Sequence, residues 1–381
     1  MFEGDIGELK EDIARFVTDS VGQDELFLVY ATPPCQGMSS NGWGKLKAEI
    51  RVGHRPKEDV RNRLIIPAMD VICSLRPQWV LFENVPRMKD IVIRTEDGHV
   101  KILDYISTRL GDDYSGSGDV LKCSDYGIPQ IRKRLITLFT RNENGKQYFN
   151  SNGTLFPKHE KTRPPTLRDV IGSFPPLDSV AGKESCPSFH PMHYVRIMKP
   201  EKYWWVSNTK EGDSAYNNQC VNADCMFQYN ELHVDKFQNG RWQSNKDTPI
   251  YCRKCGHLLP RPTIIDPKTK ERRLISGFHS AYRRMKWDEP SRTLTQNLFF
   301  EASDNKIHPD QNRVLSAYEA LVIQTIADYD YHWAVNGRPV PTSLIAQVIG
   351  ESVPPKLIDF IAKKIINITE GRLGPMQLKL F

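Results

Sequence analysis

A cysteine that follows a buried strand is the first candidate for chemistry in this sequence. The apolar run Phe27-Leu28-Val29-Tyr30 predicts a short strand, and Pro33 and Pro34 end it abruptly. The second proline keeps the backbone extended, so Cys35 is predicted to lie on a loop at the end of the strand. Ligands bind beyond the carboxyl ends of strands in open α/β sheets, and a thiolate there can act as a nucleophile. The alternative is that Cys35 is a small buried apolar residue.

Four further cysteines have the spacing of metal ligands. They form two close pairs with 26 residues between them: Cys220 with Cys225, and Cys252 with Cys255. Two such pairs predict a tetrahedral structural zinc site. His233 or His257 can replace one thiolate in this hypothesis. The alternative without a metal is two pairs of surface thiols on turns.

Charged side chains flank two more apolar runs. Glu83 comes directly after Trp79-Val80-Leu81-Phe82, and Arg132 and Arg134 precede another apolar run. Arginines at alternating positions share one face of a strand. Taken singly, Glu83 can be a solvated strand end, and the two arginines can form a charged edge. Together with Cys35 they place a thiol, a carboxyl and guanidinium groups at strand ends of one predicted sheet.

Composition sets the limits for this chemistry. A chain of 381 residues with 39% hydrophobic and 26% charged residues is typical of two or three globular domains. The net charge of +6 permits a nucleic-acid partner without requiring one. No apolar run is long enough for a bilayer and the acidic start is not a signal peptide, so we expect a cytoplasmic protein. Eight cysteines are few for a disulfide scaffold and favour reduced thiols with one metal site.

The elements that must position these residues follow from periodicity. Apolar spacing predicts helices over 59–75 and over 102–110, the second closed by Gly111, and Ser316–Glu319 forms a capping box before another helix. A last helix begins near Pro354-Pro355. Strands and helices alternate up to about residue 145, which predicts a mostly parallel α/β sheet. The region 150–275 is polar and aperiodic, and we interpret it as a separate, irregular domain.

Six stretches, in this order, resemble the motifs of the DNA (cytosine-5) methyltransferases. They are Gly4-Asp5-Ile6, Pro33-Pro34-Cys35-Gln36, Glu83-Asn84-Val85, Gln130-x-Arg132-x-Arg134, Trp287-Asp288-Glu289-Pro290-Ser291-Arg292-Thr293-Leu294-Thr295 and Gly350-Glu351-Ser352-Val353-Pro354-Pro355. The resemblance implies an α/β fold: a Rossmann-like S-adenosylmethionine-dependent methyltransferase sheet, incomplete at its N-terminus, with a small zinc-containing target-recognition domain. The implied domains are 1–150 for the first part of the catalytic core, 151–280 for target recognition, and 281–381 for the rest of the core.

The resemblance also implies a role for each candidate residue. The Cys35 thiolate adds to carbon 6 of a flipped-out cytosine, so that carbon 5 can attack a methyl group. A protonated Glu83 contacts N3 and the exocyclic amine, which requires burial to raise the carboxyl pKa. Arg134 holds the carbonyl oxygen of the base, and Arg132 orients the Cys35 loop or a phosphate. The segment 37–55 is expected to close as a lid, or else to be an ordinary surface loop.

The implied methyl donor is S-adenosylmethionine, with Asp5 at its adenine and Ile6 and Leu64 also among the cofactor-binding residues. Two features depart from the family pattern. The Phe-x-Gly-x-Gly motif that cradles the cofactor is absent, and Glu351 stands where the family usually has Asn. We therefore expect an N-terminally truncated enzyme, or one to which a second subunit supplies the missing motifs.

The function expected from this reasoning is methylation of cytosine in a specific sequence of double-stranded DNA, in a restriction–modification system and at the nucleoid. Basic and aromatic residues around the four cysteines suit contacts to phosphates and bases. Two alternatives stay open. One is a catalytically incomplete fragment or split-enzyme subunit that acts as a DNA-binding module, and the other is an RNA cytosine methyltransferase.

Overall fold

The structure is a computed structural model, and it describes residues 2–34, 60–158, 163–238, 241–275, 280–303 and 305–373. The chain divides into two compact units. The first comprises residues 1–122, 133–160 and 358–381, and the second comprises 123–132 and 161–357. Among the described helices none is both long and apolar enough to cross a membrane.

A four-stranded sheet forms the centre of the first unit. Its strands are β1 (Leu28–Ala31), β2 (Trp79–Asn84), β5 (Ser115–Lys122) and β6 (Lys133–Thr140), in the order β1-β2-β6-β5. Strands β1 and β2 are parallel, whereas β2–β6 and β6–β5 are antiparallel. Strand β6 alone is reversed, so β1, β2 and β5 share one direction, and the predicted mostly parallel sheet contains one antiparallel strand. Only ten residues connect β5 to β6, and a parallel crossover needs a dozen or more.

Four helices belong to the same unit, and the second and third of them share an apolar core with β2 and β6. They are α1 (Ile6–Val21), α2 (Ile65–Leu75), α3 (Ile102–Leu110) and α4 (Glu143–Asn152), and a small hairpin is formed by β3 (Val92–Thr95) and β4 (Gly98–Lys101). The prediction of Gly111 at the end of α3 is confirmed, because its φ of 67° favours glycine. All six residues of β2 are buried, whereas none of the four in β1 is. Strand β2 is thus central to the core and β1 is not.

The second unit has longer helices at its C-terminal end and short elements elsewhere. Its helices are α5 (Leu167–Ile171), α6 (Pro200–Ser207), α7 (Ala317–Ile323) and α8 (Thr342–Glu351). Its strands are two or three residues long and pair as hairpins: β7 (Lys236–Gln238) with β8 (Arg241–Gln243), β9 (Thr263–Ile265) with β10 (Arg272–Leu274), and β11 (Ala334–Val335) with β12 (Arg338–Pro339). Residues of α5, α7 and α8 share one apolar core.

The capping box and the last helix form as predicted. Ser316 accepts a hydrogen bond from the Glu319 backbone at the start of α7, and the Glu319 carboxylate accepts one from the Ser316 backbone. Arg313 donates to both carboxylate oxygens of Glu319 at 2.7 Å, and both side chains are fully buried. The last helix, α9 (Pro355–Thr369), begins at the second of the two predicted prolines.

Candidate active site

The loop that leads to Cys35 is tied to the end of β2 by a buried asparagine. The side-chain amide of Asn84 donates to the Pro33 carbonyl at 2.9 Å, and its oxygen accepts from the Val85 backbone at 2.8 Å. Asn84 is 2% exposed. Because Pro33 and Pro34 have fixed φ angles, this bond restrains the backbone just before Cys35. Cys35 itself and the predicted lid 37–55 lie outside the described residues.

Glu83 and Arg134 form an ion pair in the first unit. The Nε of Arg134 lies 2.7 Å from a carboxylate oxygen of Glu83, and the two side chains are 12% and 10% exposed. The antiparallel register of β2 and β6 produces this pairing, since it sets Glu83 opposite Ile136 near the beginning of β6. The structure therefore brings together a carboxyl and a guanidinium that were predicted to contact the same base. A neighbouring guanidinium favours the charged form of a carboxyl, whereas burial favours the neutral form.

Tyr30 is a third polar residue in this environment. Loss of hydration and then the charge of Glu83 raise the pKa of the Tyr30 hydroxyl to about 12, although Arg134 opposes this and 44% of the residue is exposed. The phenol therefore keeps its proton at any physiological pH. It therefore cannot serve as a base.

Arg132 has partners of a different kind. It precedes β6, so it does not share a strand face with Arg134 as its spacing suggested. Its guanidinium is fully buried in the second unit and donates to the Leu294 and Gly350 carbonyls, each at 2.9 Å. These contacts are to backbone carbonyls within the second unit, and the expected role of Arg132 at the Cys35 loop or at a phosphate stays a prediction. Buried carbonyls at both sites need a donor, and a guanidinium can reach both at once.

Three motif stretches meet around Arg132 in the second unit. The side chain of Gln130 accepts from the Leu294 backbone at 3.0 Å and donates to Gln324 at 2.8 Å. Gln324 in turn donates to the Ser352 carbonyl at 2.8 Å. Gly350 must be glycine, because a Cβ there would lie 2.3 Å from the backbone nitrogen of Gln296. The stretches around 130, 294 and 350 therefore form one hydrogen-bonded assembly.

The predicted cofactor residues lie in two places in the first unit. Asp5 caps α1 by accepting a hydrogen bond from Gly7 at 2.7 Å, and Ile6 is the first, half-buried residue of that helix. Leu64 ends a 3-10 turn just before α2 and is also half-buried. In the same turn, Asn62 is 6% exposed and its side-chain oxygen has no hydrogen-bond partner among the described residues. A buried acceptor of this kind fits a bound polar group.

The four predicted cysteines converge in the second unit. Their sulfur atoms all lie within 4.8 Å of one another, with 3.6 Å between Cys220 and Cys255 and 3.9 Å between Cys225 and Cys252. A tetrahedral zinc ion with zinc–sulfur distances of about 2.3 Å requires sulfur–sulfur distances of about 3.8 Å. The two histidines have other partners, Thr248 for His233 and Asn222 for His257. The donor set is thus four thiols, and two of their sulfur pairs lie near that separation.

Tyr30, Asn62 and Asn84 are the residues of this site that sequence reasoning missed. Asn84 lies inside the Glu83-Asn84-Val85 motif, and a polar residue at the end of an apolar strand was a signal that could have identified it. Asn62 lies two residues before Leu64 in an amphipathic segment and offered no signal of its own. Tyr30 was counted only as an apolar strand residue.

Comparison with known proteins identifies the family of this chain. The family model described as C-5 cytosine-specific DNA methylase matches residues 3–367. The type II methyltransferase M1.HgaI of Avibacterium volantium is 27% identical over 372 residues, which span 95% of this chain and 85% of that protein. The type II methyltransferase M.AgeI of Thalassovita gelatinovora is 24% identical, over 94% of this chain and 85% of its own length.

One solved structure shares the fold. The crystal structure of a protein assigned as a DNA modification methyltransferase, encoded within an E. coli prophage, aligns with a TM-score of 0.53 and 14% identity. The alignment covers 96% of this chain and 85% of the other. Because the family model covers nearly the whole chain, this protein belongs to the C-5 cytosine-specific DNA methylase family, whose members use S-adenosylmethionine.

Proposed function

We propose that this protein transfers a methyl group from S-adenosylmethionine to carbon 5 of a flipped-out cytosine in a specific sequence of duplex DNA. The observation that carries the proposal is the buried Glu83–Arg134 pair, next to the Asn84 bond that holds the loop before Cys35. The setting is a type II restriction–modification system, as the names of the relatives indicate for those proteins.

The Cys35 thiolate begins the reaction by forming a bond to carbon 6 of cytosine. Electron density from the former 5,6 double bond then makes carbon 5 nucleophilic, and carbon 5 would take the electrophilic methyl group of S-adenosylmethionine, whose S–CH3 bond breaks to release S-adenosylhomocysteine. Loss of the carbon 5 proton to a base restores the double bond and expels the Cys35 thiolate. This covalent route divides one difficult step into easier ones.

Glu83 and Arg134 stabilise the charge that develops on the ring. In our proposal the cytosine carbonyl oxygen accepts a hydrogen bond from Arg134, which weakens the hold of Arg134 on Glu83. Burial then favours the protonated carboxyl, which donates to N3 and accepts from the exocyclic amine. The protonated Tyr30 hydroxyl can support the same pair.

The remaining predicted residues have supporting roles in this proposal. Asp5, Ile6 and Leu64 line the cofactor site, and the unpartnered oxygen of Asn62 is the observation that supports a polar ligand there. Arg132 is a positioning residue, because it holds the Leu294 and Gly350 carbonyls.

The proposal includes a structural zinc ion held by the four cysteines. Their sulfur–sulfur distances support it, and the expected stoichiometry is one zinc per chain. Plasma mass spectrometry of the purified protein measures this directly. Cys255→Ser is expected to lose the ion, and Cys186→Ser, at a cysteine outside the cluster, is expected to retain it. If wild-type protein purified in the absence of chelators contains no metal, the assignment of a zinc site is contradicted.

A second subunit is the last part of the proposal. Strand β1 pairs with β2 on one side, and the described residues provide no strand on its other side. Phe27, just before β1, is 40% exposed, and Tyr30, within β1, is 44% exposed. A strand from a polypeptide that carries the Phe-x-Gly-x-Gly motif would cover this edge and complete the cofactor site.

Trapping on 5-fluorocytosine tests the chemistry, because fluorine at carbon 5 prevents release of the enzyme. The chain is incubated with labelled S-adenosylmethionine and fluorinated duplex DNA, alone and with the product of the adjacent gene. We expect the wild type and Cys73→Ala, which changes a cysteine outside the site, to form a covalent adduct. We expect Cys35→Ala to form none. DNA binding without an adduct under both conditions would refute the enzyme and leave the DNA-binding module. An adduct formed only on fluorinated RNA would replace the substrate assignment.

A further inference from the structure

The turn that ends helix α7 contains a threonine in a backbone conformation that threonine rarely adopts. Thr325 is 5% exposed and has a φ of 60°. Its backbone N–H donates to the Val322 carbonyl at 3.0 Å, and that of Ile326 donates to the Leu321 carbonyl at 2.9 Å. These two bonds define the left-handed turn that closes many helices, and glycine is its usual central residue because it has no Cβ.

The hydroxyl of Thr325 makes a contact that glycine could not make. A β-branched residue is disfavoured at positive φ, and backbone outliers of this kind cluster at functional sites. The Thr325 hydroxyl accepts a hydrogen bond from the backbone N–H of Lys356 at 3.2 Å. That N–H lies in the first turn of α9, where backbone donors have no partner within the helix. Glycine at position 325 would relieve the strain but would remove this acceptor.

Lys356 connects this contact to the stretch that leads into β6. Its ammonium donates to the Gly127 carbonyl at 3.2 Å. Gly127 lies three residues before Gln130, and β6, which carries Arg134, begins shortly after it. Thr325, Lys356 and Gly127 thus form a chain of two hydrogen bonds within the second unit.

The residue before Thr325 holds the same two stretches by a second route. The side chain of Gln324 accepts from that of Gln130 at 2.8 Å, and it donates to the carbonyl and the hydroxyl of Ser352 at 2.8 and 2.9 Å. The dipeptide Gln324-Thr325 therefore holds the stretch 127–130 at two points and the loop 352–356 at two points. Two anchors fix the orientation of a stretch, whereas one hydrogen bond allows rotation about it.

We propose that Thr325 is a positioning residue of the methyl-transfer reaction and that it holds the stretch before Arg134 through Lys356. The inference rests on the proposed function, which assigns Arg134 to the carbonyl oxygen of cytosine. Stabilisation by a hydrogen-bond donor depends steeply on where the donor lies, so a small displacement of the chain before Arg134 slows the reaction.

Substitutions at Thr325 separate the hydroxyl from the backbone strain. Thr325→Ser keeps the hydroxyl, and we expect it to form the 5-fluorocytosine adduct within about twofold of the wild-type rate. For Thr325→Gly we expect single-turnover adduct formation at saturating DNA to slow at least about fivefold. Its thermal midpoint should stay within about 4 °C, because relief of strain offsets the lost hydrogen bond. Asn336→Gly is the matched control, since Asn336 also has a positive φ, 51°, but lies on an exposed hairpin turn.

A double-mutant cycle tests whether Thr325 acts through Lys356. Lys356→Ala removes the bond to Gly127 but keeps the backbone N–H, and we expect it to slow adduct formation to a similar extent as Thr325→Gly. The double variant should be slower than either single variant by no more than about twofold, because both changes break the same chain of hydrogen bonds. Lys363→Ala, at an exposed lysine of the same helix, is the control for Lys356→Ala and should keep the wild-type rate.

The outcomes separate this inference from the proposed function. If Thr325→Gly forms the adduct at the wild-type rate, or if the two losses multiply in the double variant, the inference is overturned while trapping by the wild type still supports the function. A serine variant as slow as the glycine variant would also overturn it, because the hydroxyl would then not be responsible. If the wild type forms no adduct, alone or with the product of the adjacent gene, the proposed function fails and this inference fails with it.

Discussion

Replacing Arg132 decides whether this buried arginine acts on the substrate or on the fold. Its guanidinium makes two charge-assisted hydrogen bonds at 2.9 Å, to the Leu294 and Gly350 carbonyls. Each such bond contributes about 1.5–3 kcal/mol, and Arg132→Met leaves both carbonyls buried without this donor. We therefore expect a loss of about 3–5 kcal/mol in the free energy of unfolding. Arg132→Lys should lose about half as much, because an ammonium cannot reach both carbonyls as a planar fork does.

Thermal unfolding followed by circular dichroism measures this loss. For a unit of about 200 residues, a loss of this size lowers the midpoint by about 10 °C. Lys133→Met, at the exposed neighbouring position, should leave the midpoint nearly unchanged. Adduct formation at low temperature, where Arg132→Lys remains folded, should stay within a few-fold of the wild type. A Met variant with an unchanged midpoint and no adduct would refute the structural role and return Arg132 to the active site.

Three further predictions follow from single contacts. Asn84→Ala removes the hydrogen bond to the Pro33 carbonyl, and we expect single-turnover adduct formation to slow about 10–100-fold while DNA affinity stays within twofold. Equal losses in adduct formation and in DNA affinity would contradict a positioning role for Asn84. Gly350→Ala places a methyl group against the backbone at Gln296, and we expect urea unfolding to show a loss of about 1–3 kcal/mol in the free energy of unfolding. An unchanged urea midpoint would disprove this close approach. The pKa of Glu319 is lowered to about 2, because the Arg313 charge and hydrogen bonds outweigh burial. Its contribution to stability is therefore complete above about pH 4.5 and lost towards pH 2, so urea midpoints of Glu319→Gln should change less over this range than those of the wild type.

The local elements were predictable because their causes are local. The helix that ends at Gly111, the capping box of Ser316 and Glu319, and the start of α9 at Pro355 each depend on a few adjacent residues. Sheet direction was not predictable in the same way. Strand and helix alternation suggested parallel strands, but the short connection between β5 and β6 produced two antiparallel pairs instead.

The candidate site shows the same division. Motif spacing identified Cys35, Glu83 and Arg134 and the metal-ligand pattern of the cysteines. The family resemblance implied different roles for Arg132 and Arg134, but the spacing of two arginines with one residue between them could not predict the partners of either one. Their partners come from distant segments, a carboxylate at residue 83 for one and carbonyls at 294 and 350 for the other.

The amino-acid sequence by itself determined the family, the chemistry that its residue types permit, and the cysteine spacing, because each depends on the order of residues along the chain. Only the tertiary structure decided that four sulfur atoms converge within 4.8 Å, that Asn84 binds the backbone two residues before Cys35, and that Arg132 is buried against backbone carbonyls. The physical reason is that distances between residues far apart in sequence depend on packing, and packing decides which buried polar groups find partners.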